Sequence, residues 1–383
     1  MSCFSGFRGI SLGVAVSDCK SWCPAASVAC GCSAAGLIVW DMGEKAAESD
    51  VPTVSVVIPC RDEVLSIEGC IDSLIADSYP KDRLEILVVD GMSMDGTREI
   101  VEAYARGHAF IRLLDNPEKI TPVALNIGIT NAKGELIVLL GAHAACTNEY
   151  ISKCVKAIGE YAADSVGGIL RTLPANDTTM AQAIAIGLSH PFGVGNAYFR
   201  IGSSEARRVD TVPFGCYRKE VFDRIGLFDE RLVRNQDIEF NTRLRKAGGK
   251  IYMTPTIRSY YYARSSLGGL WRQSFQNGRW NIYTTALTGM SLALRHFVPL
   301  GFVAGLFGSG LLAISLPTFR WVFGTTSAVY LVAAIIASLR SPRSKHAGSR
   351  AFLPLVFLVL HLSYGLGSLW GMLTAAKVLR HGH

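Results

Sequence analysis

The chain has 383 residues, of which 49% are hydrophobic, and a formal net charge of +7. This length allows one or two domains, and the modest positive charge suits an anionic membrane surface or phosphorylated ligands. No basic run is interleaved with aromatic residues, so we expect no nucleic-acid partner. Half of the ten cysteines precede residue 33, and the others lack pairing or metal-ligand spacing, which indicates reduced thiols and a cytosolic soluble part.

The first part of the chain separates into an irregular segment and a regular one. Residues 1–50 are rich in Ala, Gly, Ser and Cys without a clear period, and we expect a poorly ordered N-terminal extension. From residue 51 onward, apolar runs alternate with segments of helical period. Strands are predicted at 54–59, 84–90, 110–114 and 135–140, with helices at 66–77, 97–106 and 122–130 between them. This alternation predicts an α/β domain with a mostly parallel sheet, where ligands bind beyond the carboxyl ends of the strands.

The following region is mixed, and we assign it to the same domain, which spans 51–265. We expect helices at 149–161 and 218–225, a strand at 166–170, and a helix that opens at Asn235 and ends before Gly248. Residues 266–296 combine Trp, Phe and Tyr with Arg, which is typical of an amphipathic helix at the depth of lipid headgroups.

The last part of the chain, 297–376, is predicted to cross a membrane three times before a short tail, 377–383. Three segments without Asp, Glu, Lys or Arg are each long enough to span a bilayer: 297–316, 321–339 and 352–374. The loop before the third span carries Arg340, Arg343, Lys345 and Arg350, so the positive-inside rule makes it cytoplasmic. The domain that precedes the first span is then cytoplasmic as well.

The second predicted strand ends in "VVDGMSMDGT" (88–97), which carries the strongest local signal for a ligand site. Asp90 ends the strand, and Ser93 and Asp95 place short acceptors before the next helix. Asp95 is alternatively a plain helix N-cap. No G-x-G-x-x-G follows the first strand, which argues against a dinucleotide-binding enzyme that uses NAD.

Several motifs in order resemble family 2 glycosyltransferases, which have the Rossmann-like GT-A fold. They are "SVVIPCRDE", "ILVVDGMSMDGT", "RNQDIEFNTRLRKAGGKIY" and "QNGRW", within residues 52–290. "DGMSMDGTREIV", "ALNIGI" and "HPFGVGNAYFR" resemble in particular the succinoglycan-type glucosyltransferases of bacterial exopolysaccharide assembly. The resemblance implies transfer of glucose or a similar hexose from a UDP-sugar to a lipid-linked saccharide. It also implies a multi-pass protein of the plasma (inner) membrane that contacts membrane lipids and other glycan-assembly proteins.

The resemblance also implies roles for residues at the strand ends. Asp90 would hold the uracil base, with Ser93 and Asp95 nearby, and Asn126 would lie close to the diphosphate. The nucleotide pocket would be lined by Pro59, Arg61 and Glu63.

The reaction that the resemblance implies inverts the anomeric centre, and it needs one carboxylate as the base. The family's paired Glu-Asp at a helix start appears here as Gln236-Asp237, so Asp237 is the candidate base. The alternative is an acid favoured in a first helical turn by the macrodipole. Glu239 is the weaker candidate, because it lies roughly 200° around the helix from Asp237.

Gln276, Arg279 and Trp280 match the family's Q-x-x-R-W pattern and would share one helix face. Arg279 would pair with the diphosphate, and Trp280 would stack on an acceptor sugar. The alternative for both is anchoring at the membrane interface.

The fourth strand ends in "LLGAHA", where the family usually places a metal-binding aspartate. Gly141 supplies no ligand there, and His143 offers one imidazole, which suits Mn²⁺ better than Mg²⁺. We therefore expect weak or altered dependence on a divalent cation. The missing acid also supports a rival hypothesis, a degenerate relative that binds sugar nucleotide or partner proteins without turnover.

Overall fold

A computed structural model of the protein describes residues 51–290, 292–342 and 348–381, with side chains as far as residue 376. The predicted extension 1–50, Arg343 and Lys345 lie outside the described residues. The strands are β1 Val54–Cys60, β2 Leu84–Asp90, β3 Ile111–Asp115, β4 Leu136–Leu139, β5 Ala145–Cys146, β6 Ser165–Leu173, β7 Arg207–Arg208, β8 Cys216–Arg218 and β9 Ile251–Tyr262.

The helices before the membrane region are α1 Ile67–Ile75, α2 Thr97–Gly107, α3 Thr121–Asn131, α4 Tyr150–Glu160, α5 Thr179–Gly187, α6 Pro191–Val194, α7 Tyr198–Ile201, α8 Glu220–Ile225 and α9 Gln236–Lys246. They are followed by α10 Leu267–Thr288, α11 Val298–Ser315, α12 Pro317–Arg340 and α13 Ser349–His381.

The strands form one mixed sheet in the order β3-β2-β1-β4-β8-β6-β9-β5, with β7 paired to β9. The first four strands are parallel to one another, as the alternation predicts. β1 and β2 are almost entirely buried, because helices cover both faces of the sheet. The carboxyl ends of these parallel strands therefore meet at one edge of the sheet, where a ligand site is expected.

β9 is the longest of the elements that the sequence reading missed. It runs for 12 residues and contains Pro255, which removes a backbone donor and argues against a strand inside a sheet. The strand accommodates this proline because its register with β6 shifts between Gly167 and Ile169. The end of β9 carries Tyr261, which lines a pocket described below.

Three described helices are long and apolar enough to cross a membrane: Leu294–Ser315, Pro317–Arg340 and Ser349–Ala376. They correspond to the three predicted spans. The first two expose apolar side chains such as Leu311, Trp321 and Leu339, as helices that face lipid do. α13 is more enclosed, because Val356 and Phe357 pack against α5.

α10, the helix predicted to lie at the interface, packs closely along α13. A Cβ at Gly278 would lie 2.0 Å from the Tyr364 carbonyl oxygen, and one at Gly367 would lie 2.0 Å from the Phe275 carbonyl oxygen. Ser368 Oγ donates a hydrogen bond to the Gly278 carbonyl at 3.2 Å. Only residues without a side chain permit such an approach, which is typical of helices packed within membranes.

Candidate active site

The loops after β1 and β2 are bonded to each other through side chains that the sequence singled out. Ser93 Oγ accepts a hydrogen bond from the Asp62 N–H at 2.9 Å, and Asp95 Oδ2 accepts one from Val64 at 3.0 Å. Asp95 also accepts from the N–H of Thr97 at 3.0 Å, and hydrogen bonds from Thr97 lower the pKa of Asp95. Asp95 therefore ties the start of α2 to the loop after β1.

Asp90 ends β2 with its side chain completely buried. Its carboxylate accepts a hydrogen bond from the Ser93 N–H at 3.1 Å and lies 3.5 Å from Arg98 Nη1. Arg98, which sequence reasoning missed, also pairs with Asp115 at 2.7 Å, so it joins the ends of β2 and β3. The carboxylate of Asp90 supports the loops in this arrangement, and its contact with a uracil base stays a prediction.

Of three other residues predicted for the nucleotide pocket, Pro59 and Arg61 lie at the end of β1, whereas Asn126 lies in α3. Pro59 belongs to β1, and Arg61 extends over Gly91, where a Cβ would lie 3.1 Å from Arg61 Cβ. Asn126 is buried, and its amide exchanges hydrogen bonds with the backbone of Phe228 in both directions, at 3.0 and 2.9 Å. Asn126 thus joins α3 to the segment before α9, while Arg61 is exposed and available to a ligand.

The corner after β4 opens into a pocket of about 580 Å³. His143, Glu63, Tyr261 and Arg264 line this pocket, which we call the strand-end pocket. His143 Nδ1 lies 3.5 Å from Glu63 Oε1. The structure therefore brings His143 and Glu63 together at the expected edge of the sheet and adds an arginine that the sequence reading did not include.

This corner does not supply the ligand set of a resident divalent cation. In the part of the chain that the structure describes, no group of three His, Cys, Asp or Glu side chains is placed to hold a metal ion. Gly141 has no side chain, and the ring of Phe214 lies in front of it, since a Cβ there would lie 3.2 Å from Phe214 Cε1. A metal would rest on His143 and Glu63 alone, one imidazole and one carboxylate, which does not fit the oxygen-rich preference of Mg²⁺.

Asp237 lies in the first turn of α9 and lines a second, larger cavity of about 660 Å³. Its side chain is reachable from this cavity, although the surrounding walls desolvate the carboxylate and raise the pKa of Asp237. Glu239 is instead buried and ion-paired with Arg243 at 2.8 Å. Of these two acids, Asp237 is therefore the one available to a ligand.

A row of polar side chains runs along the wall of the larger cavity from α9 to the membrane helices. Asn235, whose φ is +62°, donates from Nδ2 to Asn281 Oδ1 at 2.6 Å. Asn281 donates to the hydroxyl of Tyr364 on α13, and that hydroxyl lies 3.0 Å from His296 Nδ1. Asparagine visits the left-handed region more readily than most residues, so this row fixes the turn that presents Asp237.

Tyr261 of β9 separates the two cavities. Its ring lies edge-on to the ring of His143, with centroids 6.4 Å apart, on the side of the strand-end pocket. Its hydroxyl accepts a hydrogen bond from Gln273 Nε2 at 2.9 Å, and the guanidinium of Arg200 lies 5.2 Å from its ring centroid. Gln273 and Arg200 both line the larger cavity, so Tyr261 forms a shared wall.

α10 presents to the larger cavity a face that differs from the predicted one. Gln273, Asn277 and Asn281 line the cavity and recur every four residues, which places them on one side of a helix. The four-residue spacing of these polar side chains is present in the sequence. It was missed because the interpretation of α10 followed the neighbouring Q-x-x-R-W pattern.

The Q-x-x-R-W residues themselves lie outside the lining of both cavities. Trp280 is only 6% exposed and packs against Leu232 and Tyr283, which disagrees with the expectation that it stacks on an acceptor sugar. The Arg279 guanidinium lies 5.4 Å from the ring centroid of Tyr283, and its Nε is buried without a hydrogen-bond partner. Gln276 is half-buried on the same helix.

The parallel strands, the pocket at their carboxyl ends and the adjoining cavity with Asp237 define a glycosyltransferase of the GT-A fold. The family described as Glycosyl transferase family 2 matches residues 55–226. The succinoglycan biosynthesis protein ExoA of Rhizobium meliloti is 31% identical over 261 residues, which are 68% of this chain and 78% of that protein. The chain therefore belongs to glycosyltransferase family 2, which confirms the resemblance seen in its motifs.

Two further comparisons extend over most of the chain. A dolichyl N-acetyl-alpha-D-glucosaminyl phosphate 3-beta-D-2,3-diacetamido-2,3-dideoxy-beta-D-glucuronosyltransferase of Methanococcus voltae is 28% identical over 82% of this chain and 95% of its own. The mannosyltransferase PcManGT of Pyrobaculum calidifontis, solved with GDP-Man and Mn²⁺, superposes with a TM-score of 0.54. That match is 19% identical and covers 85% of this chain and 88% of the other, and it supports the fold alone.

Proposed function

We propose that the protein transfers a sugar from a nucleotide-sugar donor to a lipid-linked saccharide acceptor at a membrane surface. The observation that carries this proposal is the larger cavity, which Asp237 shares with Phe302, Tyr330 and Tyr364 of the three membrane helices. An acceptor anchored in lipid would enter this cavity from the side of the helices. The names of two relatives, one a dolichyl-phosphate sugar transferase and one a succinoglycan biosynthesis protein, support the same setting.

The donor is assigned to the strand-end pocket. Glu63 and His143 are the predicted side chains that line this pocket, and Arg61 is exposed after β1. Ser93 and Asp95 instead hold the surrounding loops in place. We propose a UDP-sugar of glucose or a similar hexose, on the resemblance to the succinoglycan-type enzymes. The donor and acceptor would then meet across Tyr261.

In the proposed reaction, Asp237 takes the proton of the acceptor hydroxyl while the hydroxyl oxygen forms a bond to the anomeric carbon. The bond from that carbon to the diphosphate oxygen breaks on the opposite face, and its electron pair leaves with the diphosphate. The configuration inverts, and no covalent enzyme intermediate forms. Desolvation of Asp237 strengthens it as a base, since burial raises the pKa of its carboxyl.

A divalent cation stays a prediction for this protein. Mn²⁺ occurs in the solved PcManGT complex, and His143 would favour it over Mg²⁺. The mechanism assigns no step to the metal, because the described residues offer only His143 and Glu63 in the corner.

We further propose that the protein is a multi-pass protein of the plasma membrane with its catalytic domain in the cytoplasm. Arg340 and Arg350 flank the loop between α12 and α13 and support a cytoplasmic position for that loop. With three spans, the first begins on the cytoplasmic side, where the catalytic domain also lies.

The proposal is tested by incubating the detergent-solubilised full chain with a panel of UDP- and GDP-sugars and lipid diphosphate-linked saccharides. We expect a glycolipid product of inverted configuration from the unchanged protein and no product from Asp237→Asn. Asp223→Asn, a change of an exposed acid on α8, serves as the matched control. Nucleotide-sugar binding without transfer under any condition would support the non-catalytic hypothesis instead.

A further inference from the structure

Arg200 of α7 lies on the wall of the larger cavity without a counter-ion from the protein. Arg295 lines the same cavity, and it is ion-paired with Asp210 at 2.6 Å. Among the described residues, no carboxylate oxygen lies within 4.0 Å of the guanidinium of Arg200. Its Nη1 lies 3.4 Å from the hydroxyl oxygen of Thr172 instead. The cavity therefore contains a cation that an anionic ligand could neutralise.

Aromatic rings hold the guanidinium of Arg200 in place. It lies 5.2 Å from the ring centroid of Tyr261 and 5.6 Å from that of Phe199. Gln273 of α10 fixes Tyr261 in turn, through the hydrogen bond to its hydroxyl. The cavity walls desolvate the guanidinium and lower the pKa of Arg200, although an arginine keeps its charge in proteins. A desolvated cation of this kind is stabilised when an anion binds to it.

The membrane helices give the same cavity an apolar wall. The rings of Phe302 on α11 and Tyr330 on α12 stack with centroids 4.5 Å apart, and the ring of Phe192 on α6 lies 5.8 Å from that of Tyr330. All three residues line the cavity, as does Val298, which begins α11 and is 61% exposed. An apolar wall combined with an unneutralised cation suits an amphiphile that has a hydrocarbon chain and an anionic head.

We infer that Arg200 binds the phosphate of the lipid-linked acceptor, whose hydrocarbon chain lies against Phe192, Phe302 and Tyr330. This inference rests on the proposed function, which makes a lipid-linked saccharide the acceptor. A guanidinium matches phosphate oxygens in geometry and binds them through two parallel hydrogen bonds. The phosphate is assigned to the acceptor because Arg200 lines the cavity of Asp237 and is absent from the lining of the strand-end pocket.

The test measures binding of a short prenyl phosphate to the full chain in detergent by calorimetry, without a donor sugar. The probes are farnesyl phosphate and farnesol, which share a hydrocarbon chain and differ in the phosphate. We expect farnesyl phosphate to bind about 10- to 100-fold more tightly, as a charged hydrogen bond allows. UDP and phosphatidylglycerol are added as competitors, and we expect neither to displace farnesyl phosphate at equal concentration.

Substitutions of Arg200 identify the group that recognises the phosphate. We expect Arg200→Gln to weaken binding of farnesyl phosphate by about 10- to 100-fold and to leave binding of farnesol unchanged. In turnover, the KM for the lipid acceptor should rise while the KM for the nucleotide sugar stays the same. Arg171→Gln is the matched control, because Arg171 is exposed, adjoins Thr172 on β6 and lines neither cavity.

Binding of farnesol reports whether each variant is folded. If Arg200→Gln unfolds, Arg200→Lys keeps the test decisive, because it retains the charge and loses the paired geometry. We expect the lysine variant to prefer farnesyl phosphate less strongly than the unchanged protein does.

Equal affinity of the unchanged protein for the two probes, or a preference for the phosphate that survives both substitutions, would overturn the inference. Displacement of farnesyl phosphate by UDP would assign the site to the donor, and displacement by phosphatidylglycerol would assign it to bulk lipid, so either result would also overturn it. Sugar transfer with an unchanged acceptor KM in Arg200→Gln would overturn the inference and support the proposed function. A phosphate preference that depends on Arg200, without transfer under any condition, would support the phosphate site and remove the proposed function.

Discussion

Two regions of the site use their polar side chains in opposite ways. In the loops after β1 and β2, Asp90 and Asp95 are fully engaged by neighbouring loop residues and by Arg98. At the larger cavity, the side chain of Asp237 is exposed, so solvent and a ligand can reach it.

This difference separates side chains that hold the loops in place from side chains that are available to a ligand. A polar group that is satisfied by the protein gains little from a ligand, whereas one that is desolvated without a partner is stabilised when a ligand arrives. The residues at the strand ends, such as Asp90 and Asp95, were the easiest to recognise in the sequence, yet most of them hold the loops of the fold in place. On the proposed function, the larger cavity supplies the base.

The largest effect is expected from Asp237→Asn. We expect the turnover number to fall about 10²- to 10⁴-fold, because the general base is lost, while the dissociation constant for nucleoside diphosphate stays unchanged.

The raised pKa of Asp237 means that the folded state holds its proton more tightly than the unfolded chain. Stability therefore falls as pH rises through the pKa of the folded state, and the variant should melt no lower than the parent at neutral pH. A lower melting temperature of the variant would show that Asp237 stabilises the fold.

Asp90→Asn is expected to have a smaller effect, which falls on the stability of the fold and not on the chemical step. Loss of the charged hydrogen bonds to Ser93 and Arg98 should lower the free energy of unfolding by about 1–3 kcal/mol. Denaturant unfolding measures this loss, with Asp223→Asn as the control. If Asp90 instead binds the uracil of the nucleotide, the affinity for UDP will drop while the free energy of unfolding and the affinity for GDP are preserved.

The pH dependence of turnover sharpens the assignment of the base. Asp237 must be ionised to accept a proton, so the rate should fall about tenfold per pH unit below the pKa of Asp237. Because burial raises that pKa, the acidic limb should lie above the usual aspartate value of about 3.9. Turnover should be measured at saturating donor and acceptor, and the residual rate of Asp237→Asn should lack this limb.

The smallest effect is expected at the corner after β4. Gly141→Asp adds a carboxylate beside His143, but the ring of Phe214 must first move by a few tenths of an ångström. We expect Mn²⁺ affinity to rise only by about tenfold or less, measured by titration of the metal in the presence of UDP. Gly141→Asn has the same size without the charge and is the matched control. Equal Mn²⁺ affinity in both variants would argue against a metal at this corner.

The sequence predicts the parallel half of the sheet well, because buried strands there are continuous apolar runs separated by helical periods. It does not predict β9, since Pro255 interrupts the pattern and only the shifted register with β6 accommodates it. Asp237 was singled out because it matches the family's paired Glu-Asp at a helix start, and its role as the base stays a prediction. Tyr261 and Arg264 were not predicted, because the pocket that they line is formed by segments that are remote in the sequence and meet only in the fold.

The glycine contacts between α10 and α13 have a consequence for the choice of substrate. Gly278 and Gly367 bring the two backbones together so closely that α10 has little freedom to slide or tilt on α13. Asn281 on α10 bonds Asn235 beside Asp237, so on the proposed function the base would be held at one height above the hydrocarbon layer. On the proposed function, a glycan tethered to lipid at its other end presents only one of its sugars at that height, so the enzyme measures the length of its acceptor.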